Sequence, residues 1–382
     1  LPGLVDMHVH FREPGFENSE TIETGSMAAA AGGFTCVFPM ANTDPVTDTA
    51  SSVEQTLRRG NEVGLVQVQP IGAVTHCLKG EKMADLGAMA RSKAKVRVFS
   101  DDGKCVFDPL IMRRSLEYIK AFDGVIAEHA QEPRLTEGSQ MNEGKWSAKL
   151  GLNGWPAVAE ESIIARDILL ADFTKSRVHI CHLSTKKSVD IVRFAKSKGL
   201  KVTAEATPHH LNLTEEELSE YNPRYKVNPP LRTREDVEAV RQGVADGTID
   251  IIATDHAPHA LELKYAEFQD AAFGMTGLET SLSASQLALI DTGLMNWRQL
   301  MDKMSVNPAK IGGVDDRQGR DIKVGEIANL CVYDPTVKQE IIPESQFTRS
   351  TNSPFKHKIL PGKVLKTVWA GKTTFENGEI VR

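Results

Sequence analysis

The strongest constraint on the fold is an eightfold alternation of short apolar, β-branched runs with longer segments that are patterned as helices. The runs predicted as strands are 4–9, 34–39, 65–74, 95–100, 124–128, 177–182, 200–207 and 249–254. Helix-like segments lie between them at 21–31, 51–59, 109–121, 160–170, 185–198 and 234–244. Parallel strands need crossover helices, so repeated strand and helix units are typical of one closed architecture. The sequence therefore predicts an α/β protein with a (β/α)8 barrel of the TIM type.

Polar side chains follow every one of these predicted strands. In barrels of this type, catalytic groups lie at the C-terminal ends of the strands and in the loops after them. Ten of the eleven histidines lie at such ends or within two residues of them, and only His357 lies elsewhere. Histidines with structural roles alone would be scattered over helices and surface loops, so this clustering indicates a metal centre.

The strand ends provide imidazoles and carboxylates but no pair of thiolates. The candidate ligands are His8 and His10 from the first strand, Asp101 or Asp102 after the fourth, His129 after the fifth, His182 from the sixth and Asp255 after the eighth. Such ligands suit Zn²⁺ or a similar cation, and a carboxylate can bridge two ions. Side-chain alternation lets only one of the two aspartates face the barrel mouth, and it does not choose between them. We expect one or two Zn²⁺ per chain, with two favoured, and hydrolysis as the reaction class.

Composition restricts the partners of the chain. A net charge of -6 and a pI near 6.0 argue against a nucleic-acid-binding surface. No apolar run approaches the roughly 18 to 20 residues that span a bilayer, and no signal peptide pattern is visible, so we expect a cytoplasmic protein without membrane contact. The five cysteines contain no C-x-x-C pair. The expected partner is a small-molecule substrate, and a homodimer is the expected assembly.

The pattern changes near residue 316. Short alternating strands over 327–333 and 364–369, separated by glycines and Pro335, predict part of a small β domain. We therefore divide the chain into a barrel catalytic domain at 1–315 and a β domain at 316–382. The chain starts with Leu1-Pro2-Gly3 and runs directly into a strand, so we expect the N-terminal part of the β domain to be missing.

Several motifs resemble those of a known family. Asp6-Met7-His8-Val9-His10, with single histidines on the fifth and sixth strands and an aspartate on the eighth, resembles the metal-dependent amidohydrolase superfamily. Finer matches are similar to the type I, bacterial dihydroorotases: His8 to Gly15, Met40 to Thr43, Gly144 to Gly151, Val227 to Arg232 and Ala253 to His259. The resemblance covers nearly the whole chain.

The resemblance implies a role for each candidate ligand. His8, His10 and Asp255 would bind one ion, His129 and His182 the other, and Asp102 would bridge them. Many members of the superfamily bridge their metals with a carbamylated lysine instead, and here Asp102 stands in its place, while the nearby Lys104 is expected to point away. The implied reaction is the reversible hydrolysis of dihydroorotate to N-carbamoyl-aspartate in pyrimidine synthesis. A metal-bridged hydroxide would attack the ring carbonyl, with Asp255 as general base and then general acid.

The substrate carries a carboxylate, which assigns expected roles to further residues. Arg12 can make a bidentate, charge-assisted pair with that carboxylate, and Asn42 and His259 can supply further donors. Asn228 and the backbone around Gly274 and Gly277 are expected to hold the edge of the ring.

Two alternatives stay open at this point. One is a related cyclic amidohydrolase, namely a dihydropyrimidinase, a hydantoinase or an allantoinase, which would not need Arg12 for a ring carboxylate. The other is an inactive scaffold for aspartate transcarbamoylase, with which type I dihydroorotases associate. The presence of every ligand argues against the scaffold, although a complex with aspartate transcarbamoylase remains a possible partnership of the active enzyme.

Overall fold

The computed structural model describes residues 1–382 and contains fourteen strands. In chain order the strands are β1 (Leu4–Val9), β2 (Phe34–Pro39), β3 (Gln67–Val68), β4 (Val98–Phe99), β5 (Val125–Glu128), β6 (Met141–Asn142), β7 (Gly154–Trp155), β8 (Val178–Ile180), β9 (Val202–Ala206), β10 (Ile251–Ile252), β11 (Leu330–Glu340), β12 (Ile359–Trp369), β13 (Lys372–Glu376) and β14 (Glu379–Ile380). All eight predicted barrel strands are present, although several are shorter than the apolar runs that predicted them.

Twelve α-helices connect these strands. They are α1 (Ile22–Ala31), α2 (Ala50–Val63), α3 (Leu86–Arg91), α4 (Pro109–Ile119), α5 (Lys145–Leu150), α6 (Val158–Thr174), α7 (Lys186–Ser197), α8 (Arg234–Ala245), α9 (Leu261–Lys264), α10 (Ser281–Ser285), α11 (Trp297–Met301) and α12 (Asn307–Gly312). Threonine N-caps begin α1, α2, α7 and α8, where each hydroxyl accepts a backbone N–H of the first turn. All six predicted helices occur close to their predicted bounds.

The barrel closes through two parallel sheets and two isolated bridges. One sheet has the order β1-β2-β3, and the other has the order β10-β9-β8-β5-β4. A bridge from Gly72 to Phe99 joins the first sheet to β4, and a bridge from Val9 to His256 joins β1 to the segment after β10. These pairings complete a ring of eight parallel strands, which confirms the predicted (β/α)8 barrel.

Apolar side chains fill the barrel and cover its outside. A cluster of 15 buried residues, drawn mainly from the strands and from α12, occupies the interior, and a cluster of 57 packs the strands against the helices. The helix α12 covers the N-terminal ends of strands, because Arg177 donates to Ile311 O and Asn307 donates to Asp250 O. The opposite, C-terminal mouth is left for polar groups.

The C-terminal residues form an antiparallel sheet in the order β11-β12-β13-β14. It packs on α1 and on the turn after that helix, where Gly33 has a φ of 88° and a Cβ would lie 2.6 Å from the sulfur of Cys331. The first residues of the chain join this sheet, because Gly3 N donates to Asn329 O and Cys331 N donates to Leu1 O. The boundary between residues 315 and 316 stays a prediction, since contacts of both parts cross it.

Several features were not predicted, among them α3 and the two that follow. The short parallel pair β6 and β7 lies with α5 in the connection between β5 and α6. The β1–β2 register is irregular between Asp6 and Val9, and the Asp6 carboxylate accepts N–H from His8 and from Thr254.

None of the helices has the length and apolar character that crossing a membrane would require.

The packing of α4 on the barrel gives a stability prediction. Leu116 is fully buried, whereas Leu110 in the same helix is 49% exposed. Leu116→Ala leaves a cavity and is expected to lower the free energy of unfolding by roughly 2–5 kcal/mol. Leu110→Ala removes a comparable side chain from the surface and should change it by about 0.5 kcal/mol or less. Urea denaturation measures both, and equal losses would contradict the packing of α4.

Candidate metal centre and active site

The C-terminal mouth of the barrel gathers the six predicted metal ligands. All are buried. His8 is the penultimate residue of β1, and His10 directly follows that strand. The other four follow later strands: Asp102 lies three residues after β4, His129 directly after β5, His182 two residues after β8 and Asp255 three residues after β10. Residues that are up to 247 positions apart in the sequence therefore meet, because the closed barrel brings the ends of all its strands to one opening.

The carboxylate of Asp102 lies in the middle of four imidazoles. Its Oδ1 is 3.3 Å from His8 Nε2, 3.2 Å from His129 Nδ1 and 3.3 Å from His182 Nε2. Its Oδ2 is 3.3 Å from His10 Nε2. One carboxylate thus offers its two oxygens to different histidines, which is the arrangement that a bridging ligand requires.

The neighbouring Asp101 points elsewhere. Its Oδ1 accepts the backbone N–H of Val74 and of Thr75, at 2.7 and 3.0 Å, and its Oδ2 accepts the Thr75 hydroxyl. Lys104 is exposed and does not reach the histidines through any hydrogen bond. The geometry therefore favours Asp102 over Asp101 at the position between the imidazoles.

Three groups of three side chains have the compactness of metal sites. One consists of His8, Cys181 and Glu205, and the other two consist of predicted ligands alone. The ligand atoms of His8, His10 and Asp255 lie within 4.8 Å of one another, as do those of His8, Asp102 and His182. His8 Nε2 is buried without a hydrogen-bond partner, which is costly unless that nitrogen binds something. The donors are imidazole nitrogens and carboxylate oxygens, which fit a borderline divalent cation such as Zn²⁺.

Buried carboxylates and imidazoles lie side by side at this mouth. Burial disfavours the charged form of Asp102, but the positive charge of His8 and hydrogen bonds from two further imidazoles outweigh it and hold its pKa well below the usual range. Burial also opposes ionisation of Asp255, yet His8 and a hydrogen bond from His10 lower its pKa. Burial lowers the pKa of His10, which favours the neutral imidazole that binds metal. A bound cation would offset the charge of these carboxylates.

Three residues at the mouth have left-handed backbone conformations. The φ angles are 58° for Arg12, 29° for His182 and 46° for Asp255. Residues other than glycine rarely adopt a positive φ, because the conformation is strained. Such backbone strain is often found at functional sites, where the surrounding structure holds the residue in place.

Arg12 lies beside the predicted ligands without an acidic partner. Its Nε donates to Pro258 O at 3.2 Å, and its NH2 nitrogen is 3.4 Å from His259 Nε2. No carboxylate lies within ion-pair distance of its guanidinium, and burial lowers its pKa to about 10. A half-buried arginine without an acidic partner can donate hydrogen bonds to the carboxylate of a ligand.

The loop after β10 holds His259 and Gly274 together. His259 Nε2 is 2.7 Å from Phe273 O, and Asn352 donates to Ala257 O and Gly274 O. Gly274 has a φ of 145°, and a Cβ there would lie 2.7 Å from His259 Nε2. The N–H of Gly274 donates to Lys226 O, and that of Gly277 donates to His256 Nδ1. Both N–H groups predicted to bind a ligand thus donate to acceptors within the protein. The two glycines can instead make room for a ligand ring, because they have no side chains.

Two asparagines predicted for substrate binding are linked to the predicted ligands, Asn42 directly and Asn228 through Gln131. Asn42 Oδ1 is 3.0 Å from His10 Nδ1. Asn228 Nδ2 donates to Gln131 Oε1 at 2.9 Å, and that oxygen is 2.8 Å from His129 Nε2. Asn228 Oδ1 is buried without a partner, so it is an acceptor available for a ligand. Asn42 therefore helps to orient a predicted metal ligand.

Sequence reasoning missed Glu205 and Gln131. Glu205 lies within β9, is 1% exposed and contacts His8 Nδ1 at 2.5 Å. A glutamate inside the apolar run 202–206 was the signal available for it, because a buried carboxylate needs a partner. Gln131 lies in a loop and carries no such signal.

The sequence of this chain is similar to a family model and to several proteins that are named dihydroorotase. The family model described as Dihydro-orotase-like matches residues 1–188. Dihydroorotase from Streptomyces coelicolor is 60% identical over 380 residues, which cover 100% of this chain and 89% of that protein. Dihydroorotase from Leifsonia xyli subsp. xyli is 58% identical, covering 100% and 87%, and that of Mycobacterium tuberculosis is 51% identical, covering 100% and 88%.

Solved structures share the fold at lower identity. An L-hydantoinase (dihydropyrimidinase) from Arthrobacter aurescens has a TM-score of 0.88 at 24% identity, covering 100% of this chain and 86% of that one. A dihydropyrimidinase from Brevibacillus agri has a TM-score of 0.86 at 21% identity, with coverage of 100% and 86%. These likenesses concern the fold alone, whereas the relatives of 51–60% identity extend over the whole of this chain. This chain belongs to the dihydroorotase family.

Proposed function

We propose that this chain catalyses the reversible hydrolysis of the cyclic amide of dihydroorotate to N-carbamoyl-aspartate in pyrimidine synthesis. Membership of the family makes it a hydrolase that acts on cyclic amides. The observation that supports dihydroorotate as the substrate is Arg12, a guanidinium without an acidic partner beside the candidate metal centre. A ring carboxylate would complete its charge, whereas an uncharged hydantoin would leave it unpaired.

We further propose that the centre holds two Zn²⁺ ions. His8, His10 and Asp255 would bind one ion, His129 and His182 the other, and the two oxygens of Asp102 would bridge them. The compact group of His8, His10 and Asp255 supports the first set, and the contacts of Asp102 with all four imidazoles support its place as the bridge. When bound, zinc lowers the pKa of a water ligand to about 7 and polarises a carbonyl oxygen.

The protein's own residues would position the ring and move a proton. Arg12 and His259 would hold the ring carboxylate on one side, and Asn42 would approach it from the loop after β2. The buried, unpartnered Oδ1 of Asn228 would accept a ring N–H. Gly274 and Gly277 would leave room for the ring edge, since a side chain at Gly274 would collide with His259.

Asp255 is the proposed general base and acid. Its Oδ1 lies 3.1 Å from His10 Nε2 and 3.5 Å from His8 Nε2, which leaves Oδ2 for a proton. During ring opening this oxygen would take the proton of the attacking water and deliver it to the ring nitrogen that leaves the carbonyl carbon. Ring closure would use the same oxygen in the reverse order.

A homodimer, a complex with aspartate transcarbamoylase and a cytoplasmic location remain predictions from the sequence. The alternative of a dihydropyrimidinase, hydantoinase or allantoinase shares the fold and the metal chemistry, so we use substrate charge to separate it from the proposed activity. The alternative of an inactive scaffold is disfavoured because all six predicted ligands meet at one site.

Replacement of Arg12 tests the substrate. Arg12→Met removes the charged donor and should lower kcat/KM for dihydroorotate by about 100-fold, in line with the loss of about 2–3 kcal/mol from a charge-assisted contact. Turnover of an uncharged cyclic amide such as hydantoin, if measurable, should change by less than about threefold. Steady-state kinetics on both substrates measures the difference, and equal losses would favour the hydantoinase alternative.

Replacement of Asp255 tests the proton transfer. Asp255→Asn keeps the size of the side chain but cannot accept the proton, so ring opening and ring closure should both slow by about 10²–10⁴-fold. The matched control is Asp270→Asn, because Asp270 is an exposed aspartate on the same loop. Full activity of Asp255→Asn in either direction would contradict this role.

The two adjacent aspartates provide a test of the metal bridge. Asp102→Asn should reduce the bound zinc, measured by elemental analysis after dialysis, from two ions per chain to one or none, because the bridging charge is lost. Asp101→Asn should retain both ions, because Asp101 bonds to Thr75 and Val74 instead. The opposite pattern would assign the bridge to Asp101, and one ion in the active wild-type protein would require a mononuclear site.

A further inference from the structure

Glu205 is a buried carboxylate at the barrel mouth that none of the proposed steps uses. It lies on β9, is 1% exposed and has no lysine or arginine within ion-pair distance. Its partners are instead His8, His179 and the backbone of His182. A charge buried without a basic side chain is expensive, so its contacts with these histidines need an explanation.

The first contact determines which nitrogen of His8 faces the candidate metal centre. Glu205 Oε1 lies 2.5 Å from His8 Nδ1. A carboxylate only accepts hydrogen bonds, so His8 must carry its proton on Nδ1. When Nε2 binds a metal ion, its lone pair faces the centre, where Nε2 lies 3.3 Å from Asp102 Oδ1 and 3.5 Å from Asp255 Oδ1 and has no hydrogen bond.

The second contact reaches the opposite side of the centre. The same oxygen, Oε1, accepts the backbone N–H of His182 at 3.2 Å. His182 has a φ of 29°, a conformation that a residue with a side chain adopts only when its surroundings hold it there. One carboxylate oxygen thus orients the ring of His8 and supports the strained backbone of His182.

The other oxygen of Glu205 is fixed in turn. Its Oε2 lies 3.1 Å from His179 Nε2, and His179 Nδ1 lies 2.8 Å from Thr203 Oγ1. His179, a residue of β8, thus lies behind Glu205 and is linked to the centre through that carboxylate.

We propose that Glu205 is a positioning residue that couples the two halves of the metal centre, by fixing the His8 tautomer and holding His182 in its strained conformation. This inference rests on the proposed metal site and extends it with a carboxylate that binds no ion itself. Carboxylates behind metal-binding histidines orient the ring and raise its basicity. Here one such carboxylate serves a ligand of each proposed ion.

The test compares zinc affinities of purified, metal-depleted proteins by competition with a chromophoric chelator. Glu205→Gln removes the charge, and its amide can donate to His8 Nδ1 and move the proton to Nε2. Zinc affinity should fall by about 10–100-fold, the usual loss when such a partner is replaced. The matched control is Glu279→Gln, which changes another buried carboxylate whose oxygen accepts the N–H of Phe347 and Thr348. Its zinc affinity should stay within about twofold of the wild type.

Folding of each variant is checked by circular dichroism before zinc is added. A folded Glu205→Gln protein with wild-type affinity for both ions would overturn the proposal. Loss of one ion with normal affinity for the second would overturn the coupling of the two halves. If Glu205→Gln does not fold, Glu205→Asp takes its place, because the shorter side chain keeps the charge but cannot reach both His8 and His182 and should also bind zinc more weakly.

A measurement on the wild-type protein needs no variant of Glu205. In zinc-loaded protein labelled with ¹⁵N-histidine, the His8 signals, assigned by their loss in His8→Gln, should show a proton on Nδ1. A proton on Nε2 would overturn the proposal. A wild-type protein that binds zinc but does not open dihydroorotate would contradict the proposed function and leave this test intact, whereas a protein that binds no zinc would contradict both.

Discussion

The closure of the parallel sheet between β1 and the segment after β10 is the constraint on which the rest of this structure depends. Val9 bridges to His256, and His10 N donates to His256 O at 2.8 Å. The Asp6 carboxylate accepts N–H from His8 and Thr254 at the same seam. Because the first and last barrel strands meet here, His10 comes within 3.1 Å of Asp255. A barrel left open at this seam would separate His8 and His10 from Asp255.

The polar mouth formed by this closure contains several buried carboxylates. Asp102, Asp255 and Glu205 are all buried, and together they surround His8. Burying carboxylates disfavours folding unless protons, hydrogen bonds or cations compensate. The histidines compensate in part, and a divalent cation would compensate further, so the chemistry of the site and the stability of the mouth depend on the same groups. The apolar interior below it keeps these charges at one end of the barrel.

The loop after β10 is held by two lysines without acidic partners. Lys264 Nζ donates to Lys226 O and Ala272 O, and Lys226 Nζ donates to Phe268 O and Gln269 O. Burial lowers the pKa of Lys226 to about 8 and that of Lys264 far below its usual value. These bonds tie the segment that carries Asn228 to the loop that carries His259 and Gly274. The residues proposed to hold the substrate are thus braced against one another as well as against the barrel.

The sequence by itself determined the eight barrel strands, the six major helices and the side chains that gather at the mouth. Hydrophobic periodicity depends on neighbouring residues, and in a closed parallel barrel the position of a residue after its strand is enough to place it at the mouth. Only the tertiary structure showed that Asp102, and not Asp101, lies between the imidazoles, because both follow the end of β4, where strand alternation no longer applies. It also revealed Glu205, which meets His8 across 197 positions of sequence. Contacts of that kind depend on how the strands are aligned around the ring and on where loops turn, and local patterns carry no record of either.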